Sequence, residues 1–172
     1  MASHYFIDGY NVLHKSRSLR PLVHADLESA REALLERVGQ FCIATGTHVI
    51  LVFDGRGRFR AEVAPHHLRV PNMELQFAPE HLTADAVIER LIYQRQHRLD
   101  CVVVSNDRGL RDICRGMGAL TMEADNFLAT IRENRRDISD KITANRTRTD
   151  DCLEDFVDGN TIAFLKDLRE KL

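Results

Sequence analysis

Asp8 and Asp54 each follow directly on a short apolar run, Asp107 follows a third after Ser105-Asn106, and Asp85 stands at the head of an amphipathic one. The three runs are Tyr5-Phe6-Ile7, His48-Val49-Ile50-Leu51-Val52-Phe53 and Cys101-Val102-Val103-Val104. Taken singly, an Asp after a strand is more readily a turn residue or the cap of the next helix, Asp107 above all. Taken together they say more. If the runs are neighbouring parallel strands, acids about fifty residues apart in sequence meet at the carboxyl rim of one sheet. Carboxylates gathered in this way repel one another, and their hard oxygens call for Mg²⁺ or Mn²⁺ to keep them ionised. A metal so held lowers the pKa of a bound water, orients it for in-line attack on a phosphodiester, and neutralises charge on the phosphate and the leaving oxygen. The chemistry expected is phosphoryl hydrolysis without a protein nucleophile, with Asp8, Asp54, Asp85 and Asp107 as catalytic and metal-ligating residues.

Other polar residues are candidates for the surroundings of such a site. Asn11, Ser105 and Asn106 carry groups that hydrogen-bond a carboxylate or contact substrate. In Gly55-Arg56-Gly57-Arg58-Phe59-Arg60 the cations Arg56, Arg58 and Arg60 suit RNA phosphates and Phe59 suits base stacking. The plainer reading of that stretch is a solvated basic loop. Glu89, one turn from Asp85, either joins the cluster or pairs with Arg90 or Arg95 on its own helix. His66, His67 and His81 lack transition-metal spacing and are expected at the surface.

The elements that must position these groups are legible from apolar spacing. Tyr5 to Ile7 reads as a strand followed by a loop at Asp8-Gly9-Tyr10-Asn11. From Asp26, Leu27, Ala30, Leu34, Val38 and Phe41 recur at helical spacing up to a stop at Gly46. Residues 48–53 and 101–104 read as strands buried on both faces, and Met73 to Phe77 and Ala119 to Met122 as shorter ones. Thr83 caps a helix expected to reach about His97, a second helix follows Asp107 to Gly116, and Asp125 is expected to cap a third. Such alternation predicts an α/β three-layer sandwich with a mainly parallel central sheet. The nuclease-like domain is expected over residues 1–135. Residues 136–172 are expected to form a helical extension that packs on the domain or is partly mobile.

At 172 residues with 44% hydrophobic content the chain fits one core, and a formal net charge of -2 argues against binding by bulk positive charge. Cys42, Cys101, Cys114 and Cys152 lack paired spacing and are expected to be reduced and mostly buried. No leader pattern and no apolar run of about 18 residues is present, so a cytoplasmic location and no membrane partner are expected.

These residues resemble the YacP-like NYN domains, PIN-like proteins with a ribonuclease fold. The likeness lies in Phe6-Ile7-Asp8-Gly9-Tyr10-Asn11-Val12 with His14, Val52-Phe53-Asp54, Thr83-Ala84-Asp85 with Ile88-Glu89, and Ser105-Asn106-Asp107. It implies a PIN-like fold, divalent metal held at Asp8, Asp54, Asp85 and Asp107, and endonucleolytic cleavage of RNA. It also implies RNA as a partner and, because some members act on messenger RNA at the ribosome, the ribosome as a second. Ser105-Asn106-Asp107-Arg108 is nearer the general PIN pattern than the YacP form, and the Arg-rich loop has no counterpart in the family pattern. Two other functions compete. A haloacid-dehalogenase-type phosphatase would use Asp8 as a nucleophile, but Tyr10 stands where its second acid belongs. A non-catalytic RNA-binding adaptor with the same fold would not require all four acids.

Overall fold

The computed structural model describes residues 4–55 and 70–154, with side chains through residue 140 except at 138. Its centre is a parallel sheet of β1 (His4–Asp8), β2 (His48–Phe53), β3 (Met73–Phe77), β4 (Cys101–Val104) and β5 (Leu120–Met122). The strand order is β3-β2-β1-β4-β5, with β1 in the middle. Helices α1 (Gly9–Lys15), α2 (Arg20–Ala25), α3 (Leu27–Thr45), α4 (Ala84–Gln94), α5 (Arg108–Gly116) and α6 (Ala124–Glu154) complete the described elements with a 3-10 turn at Arg98–Asp100. The expected α/β three-layer arrangement is what forms.

Two apolar layers explain the unbroken hydrophobic strands. Ile7, Val49, Leu51, Phe53, Val102 and Val104 pack with Leu34, Val38, Phe41, Phe127 and Leu128 on one face. Phe6, Ile50, Val52, Cys101 and Val103 pack with Ala84, Ile88, Ile92, Leu110 and Cys114 on the other. Side chains of a strand alternate between faces, so a strand covered on both must be apolar at every position. Cys42, Cys101 and Cys114 are buried free thiols. Burial pushes Cys42 up to about 11 and Cys114 to about 12, which keeps both as unreactive thiols.

Several local expectations change. Asp8 to Asn11 is not a loop: α1 begins at Gly9, because the Asp8 side chain accepts the Asn11 backbone N–H and caps the helix. Gly9 is there for space, since a Cβ at that position would meet the Phe53 ring at 2.3 Å. The short helix α2 was not anticipated. The helix from Thr83 stops at Gln94 rather than about His97, and the 3-10 turn follows. Gly46, at φ 67, ends α3 in the left-handed conformation expected of it.

Asp125 does not cap α6; the Ala124 N–H instead donates to Asn106 Oδ1 at 2.8 Å, and Asp125 accepts the Arg17 N–H. The chain divides into a unit of residues 1–134 and a unit of residues 135–172. In the first, Phe127, Leu128 and Ile131 of α6 join the core. In the second, α6 continues as helix through Glu154. Residues 161–172, and with them the expected packing of the last segment, lie outside the described residues. So do Arg56, Arg58, Phe59, Arg60, His66 and His67. Among the described residues no helix is long and apolar enough to cross a membrane.

Candidate active site

In this strand order the chain leaves β1 toward β2 and β3, then crosses back to β4 on the other side. Crossovers of opposite sense open a crevice at the carboxyl ends of the central strands. Asp8 is the last residue of β1, Asp54 follows β2 and Asp107 lies three residues beyond β4. Alternation along β1 sends Ile7 to the α3 layer and Phe6 to the α4 layer, so Asp8 falls on the α4 side. Asp85, in the first turn of α4, stands within hydrogen-bonding reach of it.

Each acid is also tied into the backbone around it. Asp8 Oδ1 accepts from Asn11 N at 3.1 Å and Oδ2 receives the Ser105 hydroxyl at 3.4 Å. Asp54 Oδ1 accepts from Ala84 N at 2.7 Å, joining the exit of β2 to the start of α4. Thr83 Oγ1 takes the Ala86 N–H at 3.2 Å and completes that cap. Asp107 Oδ1 accepts from Leu110 N at 2.9 Å and caps α5. The cap reading of Asp107 is therefore correct, yet its carboxylate still raises the pKa of Asp85 through charge repulsion. Capping leaves its second oxygen free of that bond.

The acids frame a cleft of about 330 Å³. Asp8, Asp54 and Asp85 line it with Thr83, and α1 supplies Tyr10, Asn11, His14 and Lys15. Asp107 stands beside Asp85 and is exposed. Only 7% of Asp8 is exposed. Burial pushes its carboxyl up to about 7, and the neighbouring Asp85 and Asp54 charges add to the rise. Desolvation likewise raises Asp85, reinforced by Asp107, Asp54 and Glu89. Glu89 thus belongs electrostatically to the cluster. The site as built is short of positive charge.

The three polar candidates form a bracing network. Asn11 Oδ1 accepts from Asn106 N at 2.7 Å, and Asn106 Oδ1 takes the first N–H of α6. Ser105 is fully buried, its oxygen accepting from Asp107 N at 3.0 Å while its hydroxyl reaches Asp8. These side chains lock β1, the β4–α5 turn and α6 together and fix the direction of Asp8. Sequence reasoning overlooked Lys15 and the part α1 plays. Asn11, His14 and Lys15 share helical spacing and one face, a signal hidden by reading residues 8–11 as a loop. Tyr10 packs edge-on to Phe53 with ring centres 5.0 Å apart, and its hydroxyl accepts from Arg31 Nη1 at 3.4 Å.

The four acids offer hard carboxylate oxygens that fit a divalent cation, and two of them are held above their ordinary range. Among the described residues no three His, Cys, Asp or Glu side chains are drawn up around a common ligating point. Three of the four acids each accept a helix N–H, Asp8 from Asn11, Asp54 from Ala84 and Asp107 from Leu110. Mg²⁺ retains several waters and takes only one or two carboxylates directly, so a closed cage is not required.

Comparison with known proteins agrees with this fold. The protein YacP of Bacillus subtilis (strain 168), described as uncharacterised, is 28% identical over 137 residues, 79% of each chain. The crystal structure of a mutant of Rae1 (YacP) from Bacillus subtilis superposes with a TM-score of 0.68 at 25% identity, covering 83% of this chain and 82% of that one. A second crystal structure of Rae1 (YacP) gives a TM-score of 0.65 at 24% identity over 96% and 94% of the two chains, and shares the fold. The model of the YacP-like NYN domain matches residues 5–170, a span that takes in every carboxylate of the cleft and every strand that carries one, and the chain belongs to that family.

Proposed function

We infer that the protein is a divalent-metal-dependent endoribonuclease that hydrolyses RNA phosphodiesters, with messenger RNA at the ribosome as a candidate substrate. The observation that carries this reading is the meeting of Asp8, Asp54 and Asp85, with Asp107 beside them, at the carboxyl rim of a parallel sheet. The family supports a nuclease-type domain that interacts with RNA. Asp8, Asp54, Asp85 and Asp107 would hold Mg²⁺ or Mn²⁺, which when bound supplies Lewis acidity and an activated water at the scissile phosphate.

The chain's own residues do the rest. Ser105 and Asn11 N–H hold Asp8 in one orientation. His14 and Lys15, exposed at the mouth of the cleft, offer hydrogen-bond donors and positive charge to phosphates on either side of the scissile one. Arg56, Arg58 and Arg60 follow Asp54 in the chain and are assigned to further phosphate contacts. The test is cleavage of a labelled single-stranded RNA by purified protein with Mn²⁺, Mg²⁺ or EDTA, alongside Asp8→Asn. Internal cleavage that needs the metal and is lost in the variant supports the reading. RNA binding without cleavage would point to an adaptor, and metal-independent cleavage would refute the assigned chemistry.

A further inference from the structure

The two walls of the carboxylate cleft carry opposite charge. On one, Asp85 stands in the first turn of α4, and Glu89 on the same helix adds a second negative charge that repels it. On the other, α1 brings His14 and Lys15 to the cleft, and the chain beyond them adds Arg17 and Arg20, both exposed. The turn that carries these arginines is held from within. Ser16 and Leu19 are fully buried. Ser16 Oγ accepts the Ser18 N–H at 3.2 Å, and Ser16 O accepts the Arg20 N–H at 3.0 Å. Burying Ser16 and Leu19 leaves Arg17, Ser18 and Arg20 facing solvent. Arg37 of α3 reaches the same turn, donating to Ser18 Oγ at 3.4 Å. The turn is also tied to the rim of the sheet: the Arg17 N–H donates at 3.1 Å to Asp125, in the first turn of α6. The Ala124 N–H of that turn goes to Asn106, whose own N–H is accepted by Asn11 in the cleft.

We propose that Lys15, Arg17 and Arg20 form a phosphate track along which a single-stranded RNA leaves the cleft, so that the strand is gripped across the α1–α2 turn and not across α4. The proposal rests on the ribonuclease reading above. An RNA strand carries a charge at every nucleotide, so it is repelled beside Asp85 and Glu89 and attracted beside Lys15 and Arg17. With a formal net charge of -2 the chain has no bulk attraction to offer, and a local strip must supply it. Asp125 lies 3.8 Å from the Arg17 guanidinium, but the two side chains are 96% and 46% exposed, and so open a pair yields readily to a phosphate. The arginines of α5 form no comparable run: Arg108 and Arg115 are paired with Asp112, and Arg111 with Glu123. An acidic protein surface would also be drawn to the strip, but it would leave unexplained why the strip begins inside the cleft at Lys15.

The test reads the track through salt. The full chain carrying Asp8→Asn, in EDTA so that no strand is cut, is titrated with fluorescent single-stranded RNAs of about four and about twelve nucleotides, and affinity is followed by anisotropy. Each cation that holds a phosphate of a single strand contributes about 0.7 to the slope of log affinity against log salt. Arg17→Gln combined with Arg20→Gln should therefore lower the slope for the longer RNA by about 1.4, so that between about 50 and about 200 mM salt it loses about sevenfold less affinity. The fall in slope should be confined to the longer RNA and be the same for uridine and adenosine homopolymers, because phosphates carry no sequence. A matched removal of two cations from the far ends of α4 and α5, Arg95→Gln with Arg115→Gln, should leave the slope as in the parent. An unchanged slope in the Arg17 and Arg20 variant, or an equal fall in the matched one, overturns the track while the RNA reading stands, and leaves an acidic protein as the partner of the strip. No binding of any RNA by the parent overturns both.

Discussion

Replacing Asp8 with Asn should make the metal-free protein more stable. Asp8 has an ordinary carboxyl value of 3.8 when the chain is unfolded and about 7 when folded, chiefly through burial and then through Asp85 and Asp54. At about 1.36 kcal/mol per unit this rise is a ceiling of roughly 4 kcal/mol of stability lost at alkaline pH. An Asn amide keeps an oxygen to accept the Asn11 N–H and cap α1, but burying an amide has its own cost. About half the ceiling should survive, roughly 2 kcal/mol, or about 4 to 8 °C in Tm for a chain of this length.

The sign follows from proton uptake. Between pH 3.8 and about 7 the folded protein binds the Asp8 proton and the unfolded chain does not, so stability falls as pH rises through that window and is level above it. Asp85, raised in the same direction, adds to the fall. Thermal melts in EDTA should therefore show Asp8→Asn ahead of the parent at pH 8 and behind it near pH 4, where the Asp8 carboxyl is neutral and only the cost of burying the amide is left. Excess Mn²⁺ should stabilise the parent selectively and narrow or invert the gap. A Tm for Asp8→Asn below the parent at pH 8 in EDTA would refute the argument, because Asp8 would then contribute more by its contacts than it costs by its charge.

Gly9→Ala should lower stability by about 1 to 3 kcal/mol, the usual cost of overpacking, because its Cβ would sit 2.3 Å from the Phe53 ring; denaturant midpoints check this. Asn106→Ala removes the acceptor for the Ala124 N–H and should cost about 1 kcal/mol, with slower RNA cleavage at unchanged KM if the network only orients Asp8. Arg56, Arg58 and Arg60 changed together to Ala should weaken RNA binding and flatten its salt dependence by up to about three charges' worth of slope, while Mn²⁺ binding stays as in the parent. Unchanged affinity would return that stretch to a solvated loop.

What the sequence disclosed and what it hid have physical causes. The strands were legible because the central ones are covered on both faces, leaving Ile7 and Phe6, or Leu51 and Val52, no polar alternative. The carboxylates were legible because strand ends are marked by loss of apolar character, and parallel topology then forces those ends together. The helix α1 was hidden because Gly9 reads as a turn, whereas its task is to admit the Phe53 ring. With α1 went the positions of His14 and Lys15 in the cleft. The tasks of Asn11, Ser105 and Asn106 were hidden because their partners lie up to 97 residues away, and no local pattern records a bond such as Asn106 to Ala124 N. The crowding that raises Asp8 and Asp85 is likewise a property of the assembled rim.

The claim on which the rest depends is that these carboxylates hold a divalent cation. Calorimetric titration of the full chain with Mn²⁺ at pH 8 measures this directly, with Asp8→Asn as the comparison. Saturable binding by the parent that the variant loses or weakens at least tenfold, about 1.4 kcal/mol, is the predicted result. Equal binding by the two proteins, or none by the parent, would contradict it.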